Sequence, residues 1–214
     1  MVRGEDVYHH LVTAHDDDDW AEMVAFDRAF RARPVVNAEF SYELGVERLP
    51  THTNRNQVDW PLMLHRAYLI YMAGGYAAYY YNNTAWDIVK PDPEPPGHAR
   101  WQLLKEILTS VAYWRMTPCN ELAVRGPALC DGGRTRVFYA PGPRITVNLK
   151  DMETDVTARW VDTWTGEQKA AGVASSKVMT FQKPADFAQA PAMLIIATRP
   201  SDAANSGRRY TRAE

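Results

Sequence analysis

The sequence predicts an α/β layer followed by an all-β one: strand–helix units up to residue 117, then a small antiparallel β-sandwich over 118–200. Three observations carry this. Short apolar runs alternate with helix-period segments in the first half, the pattern of βαβ units and a parallel sheet. Past Pro118 the period falls to two, as in Arg144-Ile145-Thr146-Val147-Asn148-Leu149. Turn signals at Gly132-Gly133, Pro141-Gly142 and Thr165-Gly166 then separate short strands.

The elements follow in order. His10–His15 reads as a strand, and Asp19 caps a helix carrying Trp20, Met23, Val24, Asp27 and Phe30 at helical spacing. Arg33-Pro34 ends it, and Val35–Phe40 is the next strand. Residues 44–58 form a long polar connection, a place where function often sits. Asp59 caps an apolar helix over Trp60–Ala73, with Pro61 tolerated in its first turn and Gly74-Gly75 stopping it. Tyr76–Asn82 reads as a tyrosine-rich strand. The proline-rich stretch Asp92–Gly97 reads as a loop, followed by a helix with Trp101, Leu104, Leu108 and Val111 on one face. In the second half Val137–Ala140, Arg144–Leu149, Ala158–Asp162, Val178–Phe181 and Met193–Thr198 are strands. Residues 201–214 are polar and read as a disordered tail.

Composition excludes some functions. A net charge of −2 gives no electrostatic reason to expect nucleic acid or an anionic membrane as partner. No apolar run approaches the ~20 residues of a membrane span, and the N-terminus, polar from Glu5 onward, does not read as a signal peptide. Cys119 and Cys130 either pair across neighbouring strands or stay reduced; their spacing is not that of a zinc or redox motif. The His9, His10, His15 and Asp16–Asp19 cluster reads as helix-capping chemistry rather than a metal site, so no metal and no cofactor is expected. Seven tryptophans and eleven tyrosines serve core packing first, but also suit stacking against sugar rings.

The chemistry concentrates in Pro34-Val35-Val36-Asn37-Ala38-Glu39-Phe40-Ser41-Tyr42-Glu43. Strand alternation puts Val35, Asn37 and Glu39 on one face and Val36, Ala38 and Phe40 on the other, which is wholly apolar. Packing the apolar face against helices turns Asn37 and Glu39 toward a barrel axis, with Glu39 at the C-terminal end where barrel enzymes carry their sites. The same test places His15 at the end of its strand, and groups Tyr76, Ala78, Tyr80 and Asn82, with Trp86 just beyond. Carboxylate, imidazole, amide and aromatic rings on one rim suit a sugar substrate and an oxocarbenium-like transition state. The plainer alternatives are a structural carboxylate at Glu39, a satisfied core histidine at His15, and an arginine partner for Glu43.

Taken together, PVVNAEFSYE, RAYLIYMAGGYAAYYYNNTAWDI, PPGHARWQLLKEIL and VAYWRMTP resemble the apiosidase-like glycoside hydrolases, and WVDTWTGE resembles an aromatic–Asp–Thr–Gly turn of that family. The resemblance covers about residues 8 to 198. It implies the C-terminal part of a (β/α)8 barrel, about strands six to eight, followed by the β-sandwich often labelled collagen-binding. It also implies a retaining hydrolase of plant or microbial polysaccharide, from a family expected to be secreted or periplasmic. Glu39 falls at the nucleophile closing the seventh strand; Tyr42 and Glu43 match supporting residues, and Trp86 matches an aromatic after the eighth. His15, Asn37, Tyr80 and Asn82 complete the expected substrate contacts. Ala38 and Phe40 stand where the family often has Gly and Pro.

The family draws its acid/base from the fourth strand, outside these three units, and a whole barrel takes ~250 residues. Little hydrolysis is therefore expected of the chain alone, and an open barrel edge favours self-association. The competing expectation is a non-catalytic carbohydrate- or matrix-binding sandwich, recognisable by exposed aromatics such as Trp160 or Trp164.

Overall fold

The computed structural model describes residues 8–10, 19–30, 33–37, 40–43, 58–81, 94–152, 156–173, 177–187 and 189–198. Strands β1 (Tyr8–His10), β2 (Val35–Asn37) and β3 (Tyr76–Ala77) form one parallel sheet in that order. Helices α1 (Asp19–Phe30), α2 (Trp60–Met72) and α3 (Pro96–Ser110) follow them in the chain, one after each strand. The expected strand–helix alternation is therefore present, with strands shorter than their apolar runs. The first strand lies earlier than expected, at Tyr8–His10; residues 11–18 fall outside the described ones.

Local chemistry explains the helix ends. Asp59 is extended at the N-cap of α2, and its carboxylate accepts the Leu62 N–H at 2.9 Å. At the other end Gly74 takes φ +84, and a Cβ there would lie 2.8 Å from the Arg28 guanidinium carbon. The start of α3 corrects the expected loop over Asp92–Gly97. The helix begins at Pro96, because proline supplies helical φ and lacks an N–H that the first turn could not pair anyway. Leu104, Ile107 and Leu108 form its buried face.

Past residue 117 the chain is antiparallel. Its strands are β4 (Thr117–Pro118), β5 (Ala123–Val124), β6 (Ala128–Asp131), β7 (Thr135–Ala140), β8 (Arg144–Asn148), β9 (Val156–Asp162), β10 (Gln168–Val173), β11 (Val178–Gln182) and β12 (Ala192–Thr198). They form a six-stranded sheet, ordered β10-β9-β12-β7-β6-β4, and a three-stranded sheet, ordered β11-β8-β5. Phe138, Trp160, Leu194 and Ile196 of the larger sheet share a core with Ile145, Val147 and Phe181 of the smaller.

The other face of the larger sheet carries Val137, Tyr139, Val161, Met193 and Ile195, which join Met63, Leu64, Ala67 and Tyr68 of α2 in a second core. This explains the unbroken apolar run of β12, buried from Ala192 to Ile196: both of its faces are covered. Each fully buried aliphatic side chain there contributes on the order of 2 kcal/mol. The half-covered β8, by contrast, alternates buried and open positions as its sequence predicts.

Cys119 and Cys130 form a disulfide between the chain just past β4 and its neighbour β6, where Thr117 pairs with Cys130 and Pro118 with Leu129. The alternative of reduced thiols is thereby excluded; no described cysteine is free.

Candidate functional site

The candidate site forms beyond the C-terminal ends of β2 and β3. There the Glu43 N–H donates to Tyr80 O at 3.0 Å, and Glu43 bridges Tyr81 in parallel register. Between this bridge and the Asn37–Ala77 pair, one segment has five residues and the other three.

The ring of Tyr42 lies 5.2 Å from that of Tyr80, tilted by 53°. Tyr80 is open to solvent and Tyr42 half-buried. Two of the predicted substrate contacts are thus side by side, offering ring faces and phenol oxygens at the sheet's edge.

Glu43 is only 1% exposed. Both of its carboxylate oxygens lie 3.1 Å from the Gly97 N–H in the first turn of α3, and the Tyr79 hydroxyl donates to one of them. A carboxylate is well placed at a helix N-terminus, where unpaired N–H groups and the helix dipole both favour negative charge. Burial first, then the hydrogen bond to Glu43, push the Tyr79 phenol far above the ordinary tyrosine range. Phe40 stacks on Trp101 at 6.2 Å, and Tyr79 meets the same indole at 5.6 Å. Phe40 therefore packs against α3.

Asn37 lies elsewhere than the alternation argument had it. The register pairs Val36 with Tyr76 and Asn37 with Ala77, so Asn37 is on the opposite face from Tyr76. Val35, two residues earlier, sits in the helix-packed core with Val24. Asn37 is 1% exposed, and among the described residues its Oδ1 has no hydrogen-bond partner. His15, Glu39, Asn82 and Trp86 lie outside the described residues.

Sequence reasoning passed over Tyr79, Gly97 and Arg66. Arg66, buried on α2, reaches Ser41 Oγ at 3.5 Å. An arginine within an otherwise apolar helix was the available signal.

The aromatics of the antiparallel part are not a platform. Trp160 is 2% exposed, and Trp164 packs edge-on against Trp60 at 4.9 Å. Asp162 shapes the turn between them, its Oδ1 accepting the Trp164 and Thr165 N–H groups at 2.7 and 2.9 Å. Among the described residues no three His, Cys, Asp or Glu side chains are grouped to hold a metal, and no helix is long and apolar enough to cross a membrane.

A solved glycoside hydrolase superposes on this chain with a TM-score of 0.73 at 18% identity, covering 87% of this chain and 47% of its own. This chain shares its fold with glycoside hydrolases. A glycoside hydrolase family 5 protein from Bacteroides vulgatus matches with a TM-score of 0.73 at 18% identity, over 87% of this chain and 46% of its own. The chain spans less than half the length of these structures. No protein-family model and no curated protein matches the sequence.

Proposed function

We propose that this chain is the C-terminal part of an apiosidase-like, retaining glycoside hydrolase acting on plant or microbial polysaccharide. Residues 1–117 would supply about strands six to eight of a (β/α)8 barrel and residues 118–200 a β-sandwich, with the acid/base carried on another strand of the barrel. The supporting observation is the fold likeness, which extends over 87% of the chain and so takes in both the parallel units and the antiparallel sheets.

In this reading Glu39 is the nucleophile. Its carboxylate attacks the anomeric carbon, the bond to the leaving oxygen breaks, and water later hydrolyses the glycosyl ester. Tyr42 and Tyr80 hold the sugar by stacking and hydroxyl contacts, with His15, Asn82 and Trp86 completing the rim. Glu43 ties the strand end to α3 and acts as a positioning residue. Asn37, buried beneath, is a positioning residue. The buried Trp160 and the half-buried Trp164, packed on Trp60, give no support to a binding-only sandwich.

Leaving-group dependence tests this. A 2,4-dinitrophenolate departs without protonation, whereas an alkoxide requires a general acid. The chain alone should release dinitrophenol slowly from aryl glycosides, leave methyl glycosides intact, and lose the residual rate in Glu39→Gln. An unchanged rate in that variant would remove Glu39 from the chemistry.

A further inference from the structure

A cleft of about 380 Å³ opens at the other end of the parallel sheet, where Pro34 precedes β2 and Tyr76 begins β3. Its walls carry Arg28, Arg33 and Arg115 together with Tyr76, Tyr113 and Trp114. Among the described residues no carboxylate lines it.

The floor is held in place. Arg28 donates from Nη1 to Gly74 O at 2.7 Å, and the buried Tyr113 hydroxyl donates to Gly75 O. The first of these uses one of the five guanidinium donors of Arg28. Tyr71, Tyr76 and Tyr113 meet edge to face, with ring centres 5.3 to 6.0 Å apart. A single turn of 3-10 helix over Tyr113–Arg115 buries Tyr113 and leaves Trp114 61% exposed, with Arg115 also open. Groups already fixed in this way lose little freedom when a ligand arrives.

A guanidinium fork matches a carboxylate in two-point geometry, and an exposed indole suits the apolar face of a sugar ring. We propose that this cleft binds an anionic sugar, a uronic acid unit of an oligosaccharide, apart from the site at the C-terminal ends of the strands. The carboxylate pairs with the arginines while the ring packs on Trp114. The sugar half of the assignment rests on the glycoside hydrolase reading; the anion half rests on the arginines alone.

The test titrates the full chain with trigalacturonate, followed by calorimetry and tryptophan fluorescence, with cellotriose and sodium sulfate as comparison probes. The acidic trisaccharide should bind, more weakly as salt rises, and cellotriose should not. Trp114→Ala and Arg115→Ala, both at open surface positions, should each weaken binding about tenfold. Glu39→Gln should leave it unchanged. Equal binding by the Trp114 and Arg115 variants, equal binding of cellotriose, or no binding of trigalacturonate overturns the proposal. If sulfate displaces the trisaccharide while Trp114→Ala binds it normally, the cleft takes simple anions and the sugar assignment falls. Uronate binding that persists when Glu39→Gln leaves hydrolysis untouched would retain the cleft and reject the glycosidase reading.

Discussion

Glu43 and Gly97, 54 residues apart in sequence, meet where the end of β2's strand segment touches the first turn of α3. The carboxylate of one takes the N–H of the other, and no side chain larger than hydrogen fits between them. A Cβ on Gly97 would run into the Glu43 carboxylate and lie 3.1 Å from Trp60 Cβ. Gly97→Ala should therefore cost about 1–3 kcal/mol by overpacking. Glu43→Ala should cost about 2–3 kcal/mol, because it leaves the buried Gly97 N–H unpaired and removes the acceptor of the half-buried Tyr79 hydroxyl. Urea unfolding of the two variants measures both, and Glu43→Gln, which keeps an acceptor for Gly97, should recover most of the loss.

Alkaline pH should unfold the protein. Tyr68, Tyr79 and Tyr113 are all held protonated above the ordinary tyrosine value of 10.0, chiefly by burial. A group whose folded pKa is raised stabilises the fold fully below its unfolded pKa and loses that contribution as pH rises. Stability should thus be insensitive to these phenols up to about pH 9 and fall steeply above about pH 10. Tyrosinate absorbance should show most tyrosines ionising first and the buried ones only together with loss of circular dichroism.

Tyr139 of β7 joins the two parts of the chain. Its hydroxyl lies 2.7 Å from His65 Nδ1, and its ring stacks on Tyr68 with centres 5.3 Å apart. Because α2 and the larger sheet share one core, helix and strand signals should unfold in a single coincident transition. Tyr139→Phe should cost about 1 kcal/mol, and Tyr139→Ala about 3–5 kcal/mol, without splitting that transition. Denaturation followed by circular dichroism and by tryptophan fluorescence checks the coincidence.

The Cys119–Cys130 bond closes a short loop, its ends 11 residues apart. Replacing both cysteines with serine should cost about 3 kcal/mol on the loop-entropy estimate. A reductant should lower the melting temperature of the parent protein and leave the double variant unaffected.

What the sequence made legible is what local chemistry decides. Asp59 and Gly74-Gly75 mark the ends of α2 because a carboxylate cap and a left-handed glycine act within one helical turn. β10 was missed: Gln168–Val173 has no apolar alternation, lies at the sheet's edge, and is broken by an irregular register between Ala170 and Gly172. At the candidate site, spacing alone did not connect Tyr42 with Tyr80, whose rings meet 5.2 Å apart. It misplaced the face of Asn37, because alternation within one strand says nothing about the register against the next, and Ala77 settles that. The Glu43–Gly97 link was invisible for a similar reason, since no local pattern connects residues so far apart.

The central claim is that Glu39 is a glycosidase nucleophile, and trapping its ester tests that most directly. Dinitrophenyl 2-deoxy-2-fluoro glycosides carry a leaving group that needs no acid, and the fluorine slows hydrolysis of the glycosyl ester. After incubation with a panel of these sugars, peptide mass spectrometry should find one fluoroglycosyl adduct on Glu39 and none in Glu39→Gln. An adduct on another carboxylate, or an adduct that persists in Glu39→Gln, would contradict the account.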